Sequence, residues 1–259
     1  MLKALVLTGY GINCENESRY AIEKSGGKAD IMHLNKLLDE PKLLENYNML
    51  MIPGGFSFGD DLGSGKVFGN KMRFKMKDQL LDFIKAGKLV LGICNGFQII
   101  VKMGLLPEPD FVQRASLINN DSGHYEDRWV ILKGNPASPC IFTKGLDYLI
   151  VPVRHGEGKF IPKDDKTLQT LKEKNQIVFQ YVDENGKLAG FPYNPNGSPL
   201  GITALCSPDG RHLAMMPHPE RCFRLWQWPW KPNSWKSLKA SPWLRMFQNA
   251  RTWCLEHRN

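Results

Sequence analysis

Apolar positions along the first hundred residues fall into two alternating kinds of block. Lys3-Ala-Leu-Val-Leu-Thr8 and residues 29–33, 48–52 and 88–93 are short apolar runs bounded by Gly, Pro or polar residues. Runs of that length suit strands buried on both faces of a parallel sheet. Between them the spacing changes. Residues 69–86 place Met72, Met76, Leu80, Phe83 and Ile84 on one helical face and stop at Gly87, and residues 95–103 read as a helix closed by Gly104. A further helix, of about ten residues, follows Gly9-Tyr10-Gly11 and is stopped by Ser25-Gly26-Gly27. Strand and helix alternate, so the pattern predicts an α/β domain whose mainly parallel sheet carries helices on both faces. Its functional loops belong at the carboxyl ends of the strands.

From residue 111 to 160 this alternation fades into shorter strand-like runs, such as 129–132 and 148–153, which predict an antiparallel extension of the same domain. Residues 191–201 are a loop by composition, and residues 202–205 and 212–216 form a closing hairpin around Pro208-Asp209-Gly210. The division expected is a domain over residues 1–221 and a tail over 222–259. In the tail, Pro229 and Pro232 forbid a regular helix between Trp226 and Trp235. After Ser241-Pro242, by contrast, Trp243, Leu244, Phe247, Ala250, Arg251 and Cys254 follow helical spacing and predict a helix packed back on the domain.

Composition narrows the class. A chain of 259 residues that is 42% hydrophobic buries a substantial core, which excludes intrinsic disorder. No stretch reaches the roughly 20 apolar residues of a membrane span, and the opening run is too short for a signal peptide, so the expected location is cytoplasmic. Six scattered cysteines, with no C-x-x-C pair, read as reduced thiols and give no metal site. The formal charge of +8 sits mostly in the tail, where seven Lys/Arg stand against the single acid Glu256.

Three segments carry chemistry. In Gly92-Ile93-Cys94-Asn95-Gly96-Phe97-Gln98, glycines two before and two after Cys94 permit a sharp strand-to-helix turn that lifts the side chain above the sheet. The helix amino terminus that follows favours negative charge on the sulfur. An isolated cysteine is usually a core residue; the flanking glycines at a strand-to-helix junction set this one apart. In Met216-Pro217-His218-Pro219-Glu220-Arg221 the prolines favour an extended backbone, in which residues i and i+2 share a face. His218 can then exchange a proton with the thiol while Glu220 fixes the imidazole tautomer. Alone, that segment is as good a surface turn. Finally, Gly54 and Gly55, after the 48–52 strand, let backbone approach a ligand and offer N–H groups to a developing oxyanion, with the N–H of Asn95 as second donor. Taken without the others, the glycine pair fits a tight turn equally well.

These segments, together with Gly11-Ile-Asn-Cys-Glu15, His155-Gly-Glu-Gly158 and Asn194-Pro-Asn-Gly-Ser198, resemble in order the glutaminase subunits of the phosphoribosylformylglycinamidine synthase family, a branch of the class I glutamine amidotransferases. The resemblance runs from about residue 3 to residue 254. It implies a flavodoxin-like glutaminase fold, glutamine as substrate, and Cys94, His218 and Glu220 as the catalytic triad. It also implies an oxyanion hole at Gly55 and Asn95, with Gln98 and the backbone around His155 and Gly156 holding glutamine. No cofactor is implied for this chain; ATP and magnesium belong to a partner synthetase subunit, with a small accessory subunit as a further partner. The sequence departs from the family wording at Asp60-Asp61-Leu62-Gly63-Ser64-Gly65 and at Gly201-Ile-Thr-Ala-Leu205, which bears on assembly more than on chemistry.

Two motifs mislead. Gly59 to Lys66 ends like a phosphate loop but has Asp60 and Val67 where that loop needs Gly and Ser or Thr, and Gly9-Tyr-Gly-Ile-Asn-Cys14 puts Cys14 at the third glycine of the dinucleotide fingerprint. Two other readings of the chain stay open at this point. A cysteine hydrolase or peptidase of the same fold would use the same elbow. A binding module for single-stranded nucleic acid would use the basic tail with Trp226, Trp228, Trp230 and Trp235.

Overall fold

The computed structural model describes residues 1–257. In chain order its elements are β1 (Lys3–Thr8), α1 (Glu15–Lys24), β2 (Lys28–His33), α2 (Leu34–Asp39), β3 (Met49–Ile52), α3 (Lys66–Lys85), β4 (Leu89–Ile93) and α4 (Asn95–Met103). Then come β5 (Ala115–Ile118), β6 (Glu126–Gly134), β7 (Tyr148–His155), β8 (Lys159–Pro162), α5 (Asp165–Glu173), β9 (Ile177–Val182), β10 (Ile202–Cys206), β11 (His212–Met215) and α6 (Leu244–Glu256). A nine-stranded sheet runs in the order β2-β1-β3-β4-β11-β10-β9-β6-β7, and β5 pairs with β8 in a separate two-stranded sheet. Every residue of β3, β4, β10 and β11 is buried, as the middle of a covered sheet requires.

Strand directions decide where the loops collect. β2, β1, β3, β4 and β11 are mutually parallel. From β11 the pairing is antiparallel through β10, β9, β6 and β7, so β9 and β7 again run with the parallel set. The carboxyl ends of β1, β3, β4, β11 and β7 therefore open at one edge. There the chain places Gly9 to Cys14, Pro53 to Ser57, Cys94, Met216 to Glu220, and His155 to Gly158.

The parallel half follows the sequence pattern closely, with one informative shift. Helix α3 begins at Lys66, three residues before the apolar periodicity starts, because Gly65 caps it at φ +74° against α4, where a Cβ would lie 2.7 Å from the Ile99 nitrogen. The Gly65-Lys66 pair thus opens a helix that packs on its neighbour, a role unrelated to phosphate. Helix α5, which the sequence reading did not anticipate, buries only Leu171 fully; its start is fixed by Asp164, whose carboxylate accepts the Thr167 N–H at 2.8 Å. In the tail, Met246, Phe247, Ala250 and Cys254 of α6 are buried, Trp243 is fully buried with Nε1 donating to the Ile150 carbonyl at 2.7 Å, and Arg251 donates to Gly26 O at 3.1 Å. The preceding stretch holds only short 3-10 turns, Leu225–Gln227 and Asn233–Trp235. Trp228 is buried between Trp129 and Trp235, whereas Trp226 and Trp230 are 72% and 66% exposed. Among the described residues no helix is long and apolar enough to cross a membrane.

The junction of β4 and α4 is packed backbone against backbone. A Cβ on Gly96 would fall inside the van der Waals envelope of the Ile52 carbonyl oxygen, and one on Gly92 would meet the Gly96 carbonyl carbon and oxygen at 2.8 Å. Gly96→Ala is therefore expected to cost roughly 3 kcal/mol or more in urea unfolding, at or above the upper end for overpacking a core. The control is Gly190→Ala, where a Cβ meets nothing within 4 Å. Equal stability of the two variants would contradict this account of the junction.

Candidate active site

Cys94 stands between β4 and α4 with φ 53° and ψ −104°, a conformation that an L-residue adopts at a cost on the order of 1–3 kcal/mol. The surroundings enforce it. The Cys94 N–H donates to the Met215 carbonyl of β11 at 2.7 Å, and the Cys94 carbonyl accepts from the N–H groups of Phe97 and Gln98 at 2.9 and 3.2 Å. Gly92 and Gly96 give the turn the room just described. The sulfur is thereby turned up from the sheet edge, 3.5 Å from the Arg154 carbonyl, into a cavity of about 300 Å³ whose walls include Gly55, Gln98, Tyr125, Arg154, Gly156 and Glu157.

His218 follows β11, and its backbone N–H donates to Pro152 O of β7 at 2.9 Å. Its Nδ1 lies 2.6 Å from Glu220 Oε1, and both residues are buried. The i, i+2 geometry across Pro219 therefore holds, though through a 3-10 turn, Pro219–Arg221, rather than extended backbone. Arg221 ties that turn to α1 by donating to Glu17 at 3.2 Å. With Nδ1 taken by the carboxylate, the other ring nitrogen is left for the thiols beside it, Cys94 and Cys14, whose Cβ and Sγ crowd the same glycine, Gly54, as His218 does. Burial opposes charge on the ring. The Glu220 carboxylate foremost, and then the nearby thiols, outweigh it and hold the His218 pKa well above the usual histidine value.

Gly54 and Gly55 are required by close approach. A Cβ on Gly54 would stand 2.8 Å from His218 Cε1, 3.1 Å from Cys14 Sγ and 3.4 Å from Cys94 Cβ; one on Gly55, at φ +155°, would lie 2.5 Å from Gly11 O. The Gly54 carbonyl accepts from Asn13 and Cys14, and the Gly11 carbonyl from Phe56, so the loops after β1 and β3 are bridged. Among the described residues, no acceptor meets the N–H of Gly55 or of Asn95. One of these free donors is on Gly55, which lines the same cavity as Cys94, and the other is on the residue that follows Cys94.

The remaining residues singled out in the sequence serve mainly to hold the wall. Gln98 donates to the Glu157 carbonyl at 2.7 Å and accepts from Asn95 Nδ2 at 2.8 Å, so its amide anchors the 155–158 loop. Asn95 Oδ1 accepts the Ser57 N–H at 3.2 Å, joining the Gly-Gly loop to the elbow. The His155 ring is turned inward, and burial, with His218 nearby, lowers its pKa to about 4, so it is neutral. Its backbone carbonyl accepts from Asn120 at 2.8 Å, and Gly156 lines the cavity.

Sequence reasoning missed Asn120, Arg154, Glu157 and the closeness of Cys14. Asn120 uses its whole amide, donating to His124 and His155 carbonyls and accepting from the Gly158 N–H and the His155 ring. Asn196, from the Asn194-Pro-Asn-Gly-Ser198 loop, donates to Gly158 O at 2.8 Å. No local periodicity signals such contacts. Cys14 did carry one: it lies in the loop after β1, the kind of strand end where α/β sites form.

At the carboxyl edge of a mainly parallel sheet an elbow cysteine stands beside a carboxylate-backed imidazole, and the fold around them is that of the glutamine amidotransferase class. The family model for the CobB/CobQ-like glutamine amidotransferase domain matches residues 1–254. The phosphoribosylformylglycinamidine synthase subunit PurQ of Methanococcus maripaludis (strain C7) is 49% identical over 224 residues, covering 85% of this chain and 82% of that one. PurQ of Dehalococcoides mccartyi is 40% identical over 255 residues, 97% of each chain. Among solved structures, PurLQS from Thermotoga maritima superposes with TM-score 0.72 at 28% identity, covering 97% of this chain and 98% of that chain. The chain belongs to the glutamine amidotransferase family and, within it, to the PurQ subunits of phosphoribosylformylglycinamidine synthase.

The electrostatics of the imidazole are directly measurable. Removing the carboxylate charge in Glu220→Gln takes away the main attraction that raises the His218 pKa while burial still lowers it, so its titration by NMR is expected to move to lower pH. A His218 titration unchanged by Glu220→Gln would show that the carboxylate does not set the charge on the ring.

Proposed function

We propose that the chain cleaves the side-chain amide of glutamine and delivers the ammonia to an ATP-dependent synthetase subunit, which converts formylglycinamide ribonucleotide to formylglycinamidine ribonucleotide in cytoplasmic purine synthesis. The observation that carries this reading is Cys94, which lines the cavity with Gly55, packed beside an imidazole that Glu220 holds, with the N–H groups of Gly55 and Asn95 free of acceptors among the described residues. The Cys94 thiolate attacks the amide carbon, and charge developing on the oxygen is met by the N–H groups of Gly55 and Asn95. His218, held in register by Glu220, gives its proton to the leaving ammonia, and a glutamyl thioester remains on Cys94. Water, activated by His218 as base, then releases glutamate and restores the thiol. Arg154 and Glu157 on the cavity wall offer opposite charges to the substrate's α-carboxylate and α-amino groups. Names of the relatives support the pathway and the partner: PurQ is called a subunit, and the Thermotoga maritima structure contains PurL and PurS besides PurQ. ATP and magnesium act on the synthetase subunit.

Cys94→Ser is expected to abolish synthesis from glutamine in the reconstituted complex while leaving synthesis from ammonium salts at the normal rate, because only the thioester step is lost. Glutamine-dependent synthesis at the wild-type rate by this variant would remove Cys94 from the mechanism.

The exposed rings of Trp226 and Trp230 fit the contact through which ammonia is handed over, since tryptophan is enriched at binding hot spots. Converting both to Ala is expected to leave the melting temperature within a few degrees, roughly what a change under 1 kcal/mol produces. Stimulation of glutamine hydrolysis by added synthetase should fall at least about tenfold, the effect of losing roughly 1.4 kcal/mol of binding. Full stimulation in a normally folded variant would place the contact elsewhere.

A further inference from the structure

The cavity beside Cys94 carries an acceptor that the protein itself leaves unmet. Two carboxylates line it, Asp60 and Glu157, against one arginine, Arg154, which Asp127 already holds at 3.2 Å. Glu157 is engaged: its Oε2 accepts the Ser64 N–H at 3.1 Å and stands 3.8 Å from the Lys102 ammonium, whose nearer contact is the Ser64 carbonyl at 2.6 Å. Gln98 has both halves of its amide committed, to Asn95 and to the Glu157 carbonyl. Asp60 differs. Its Oδ1 is buried and meets no hydrogen-bond partner among the described residues. Burial raises the Asp60 pKa, and Glu157 adds to the rise against the opposing pull of Ser64 and Lys102, so the positive charge near this carboxylate falls short of what it calls for.

We propose that Asp60 receives the α-ammonium group of glutamine and so restricts the site to the amino acid, discriminating against amides that lack that group. This contact rests on the glutaminase reading of the cavity and names a specificity-determining residue within it. An ammonium group offers three donors and a full positive charge, which suits a buried carboxylate oxygen without a protein partner. Position supports the assignment as well as charge. Asp60 lies in the segment after β3 that also contains Gly55, and both residues line the cavity. That segment is tied down at several points: the Ser57 N–H donates to Asn95 Oδ1 at 3.2 Å, the Phe58 N–H donates to Tyr10 O at 2.8 Å, and the Asp60 carbonyl accepts from the Gly63 N–H at 2.8 Å. One segment thereby reads both ends of the substrate, the amide oxygen at the Gly55 N–H and the ammonium at Asp60.

Glu157 adds negative charge to the same wall. With Lys102 and the Ser64 N–H drawing on its carboxylate, direct contact with the ammonium falls to Asp60. The backbone also makes the contact testable. Phe58, Gly59 and Asp60 have φ values of 55°, 67° and 58°, all in the left-handed region. Asparagine enters that region about as readily as aspartate, and glycine enters it without strain. Asp60→Asn and Asp60→Gly therefore keep the turn while removing the charge.

The test compares glutamine with glutaramate, which has the same amide and carboxylate but no α-amino group. In the reconstituted complex, kcat/KM for ammonia release is measured on both compounds, and the ratio of the two values is the readout. Wild type is expected to favour glutamine. Asp60→Asn and Asp60→Gly should each lower the ratio at least about tenfold, the lower end of what losing a hydrogen bond to a charged group costs. Glu157→Gln should lower it less. A variant harmed only in its fold loses rate on both compounds and keeps the ratio. The same comparison made by calorimetric binding on the Cys94→Ser background needs no turnover. The proposal is overturned by a wild type that does not prefer glutamine, by an unchanged preference in both Asp60 variants, or by a larger fall in Glu157→Gln than in Asp60→Asn. If wild type hydrolyses neither compound, yet the Cys94→Ser complex binds glutamine over glutaramate and loses that preference on adding Asp60→Asn, the glutaminase reading fails and the ammonium contact stands.

Discussion

The site depends on one backbone constraint, the positive φ of Cys94. A cysteine does not choose that conformation, so the fold must impose it. β4 is held on both sides by parallel strands, β3 and β11, and the Cys94 N–H is tied to β11. Immediately beyond, α4 is pressed so closely on the ends of β3 and β4 that residues 92 and 96 have no room for a Cβ. Strain on the order of 1–3 kcal/mol is thus offset by the packing of the most buried strands in the molecule. In return the sulfur is carried clear of the sheet while its backbone is held in place, and the first N–H of α4 is left without an acceptor among the described residues.

Everything else at the edge is placed relative to that sulfur. Since β1, β3, β4, β11 and β7 run in one direction, five loops reach it without long excursions. The loop after β3 supplies two glycines and a free N–H, the one after β11 supplies the imidazole and its carboxylate, and the one after β7 supplies a wall. That wall contains no regular structure, yet it is held by complete use of the Asn120 amide, by Asn196 and by Gln98. Buried amides satisfied in this way fix a loop in a single arrangement. Charge is organised with the same economy: His218 is drawn toward its protonated form by Glu220, whereas His155 nearby, lacking a carboxylate partner, stays neutral.

Much of this was legible in the sequence, and for physical reasons. Buried parallel strands announce themselves as unbroken apolar runs, and an elbow announces itself through the glycines that its crowding demands, so β3, β4, α4 and Cys94 could be read from residue type and spacing. The spacing of His218 and Glu220 allowed the pair, although the turn that forms it is 3-10 rather than extended. What could not be read was long-range and polar. Asn120 makes its contacts through amide geometry that leaves no period, Gln98 binds a carbonyl 59 residues away, and α5 buries a single leucine. Cys14 was visible only as the residue that spoils a dinucleotide fingerprint; its nearness to His218 comes from the bridging of the loops after β1 and β3, a tertiary fact. The tryptophans of the tail divide in a way that composition does not reveal, Trp228 and Trp235 being packed together while Trp226 and Trp230 face outward.

The central claim is that of two thiols sharing one imidazole, the elbow cysteine alone forms the covalent intermediate. Rapid acid quench of the complex turning over isotopically labelled glutamine, followed by peptide mass spectrometry, tests it most directly. The account predicts a labelled glutamyl group on the peptide containing Cys94 and none on the peptide containing Cys14. Label on Cys14, or steady turnover with no thioester on either cysteine, would contradict it.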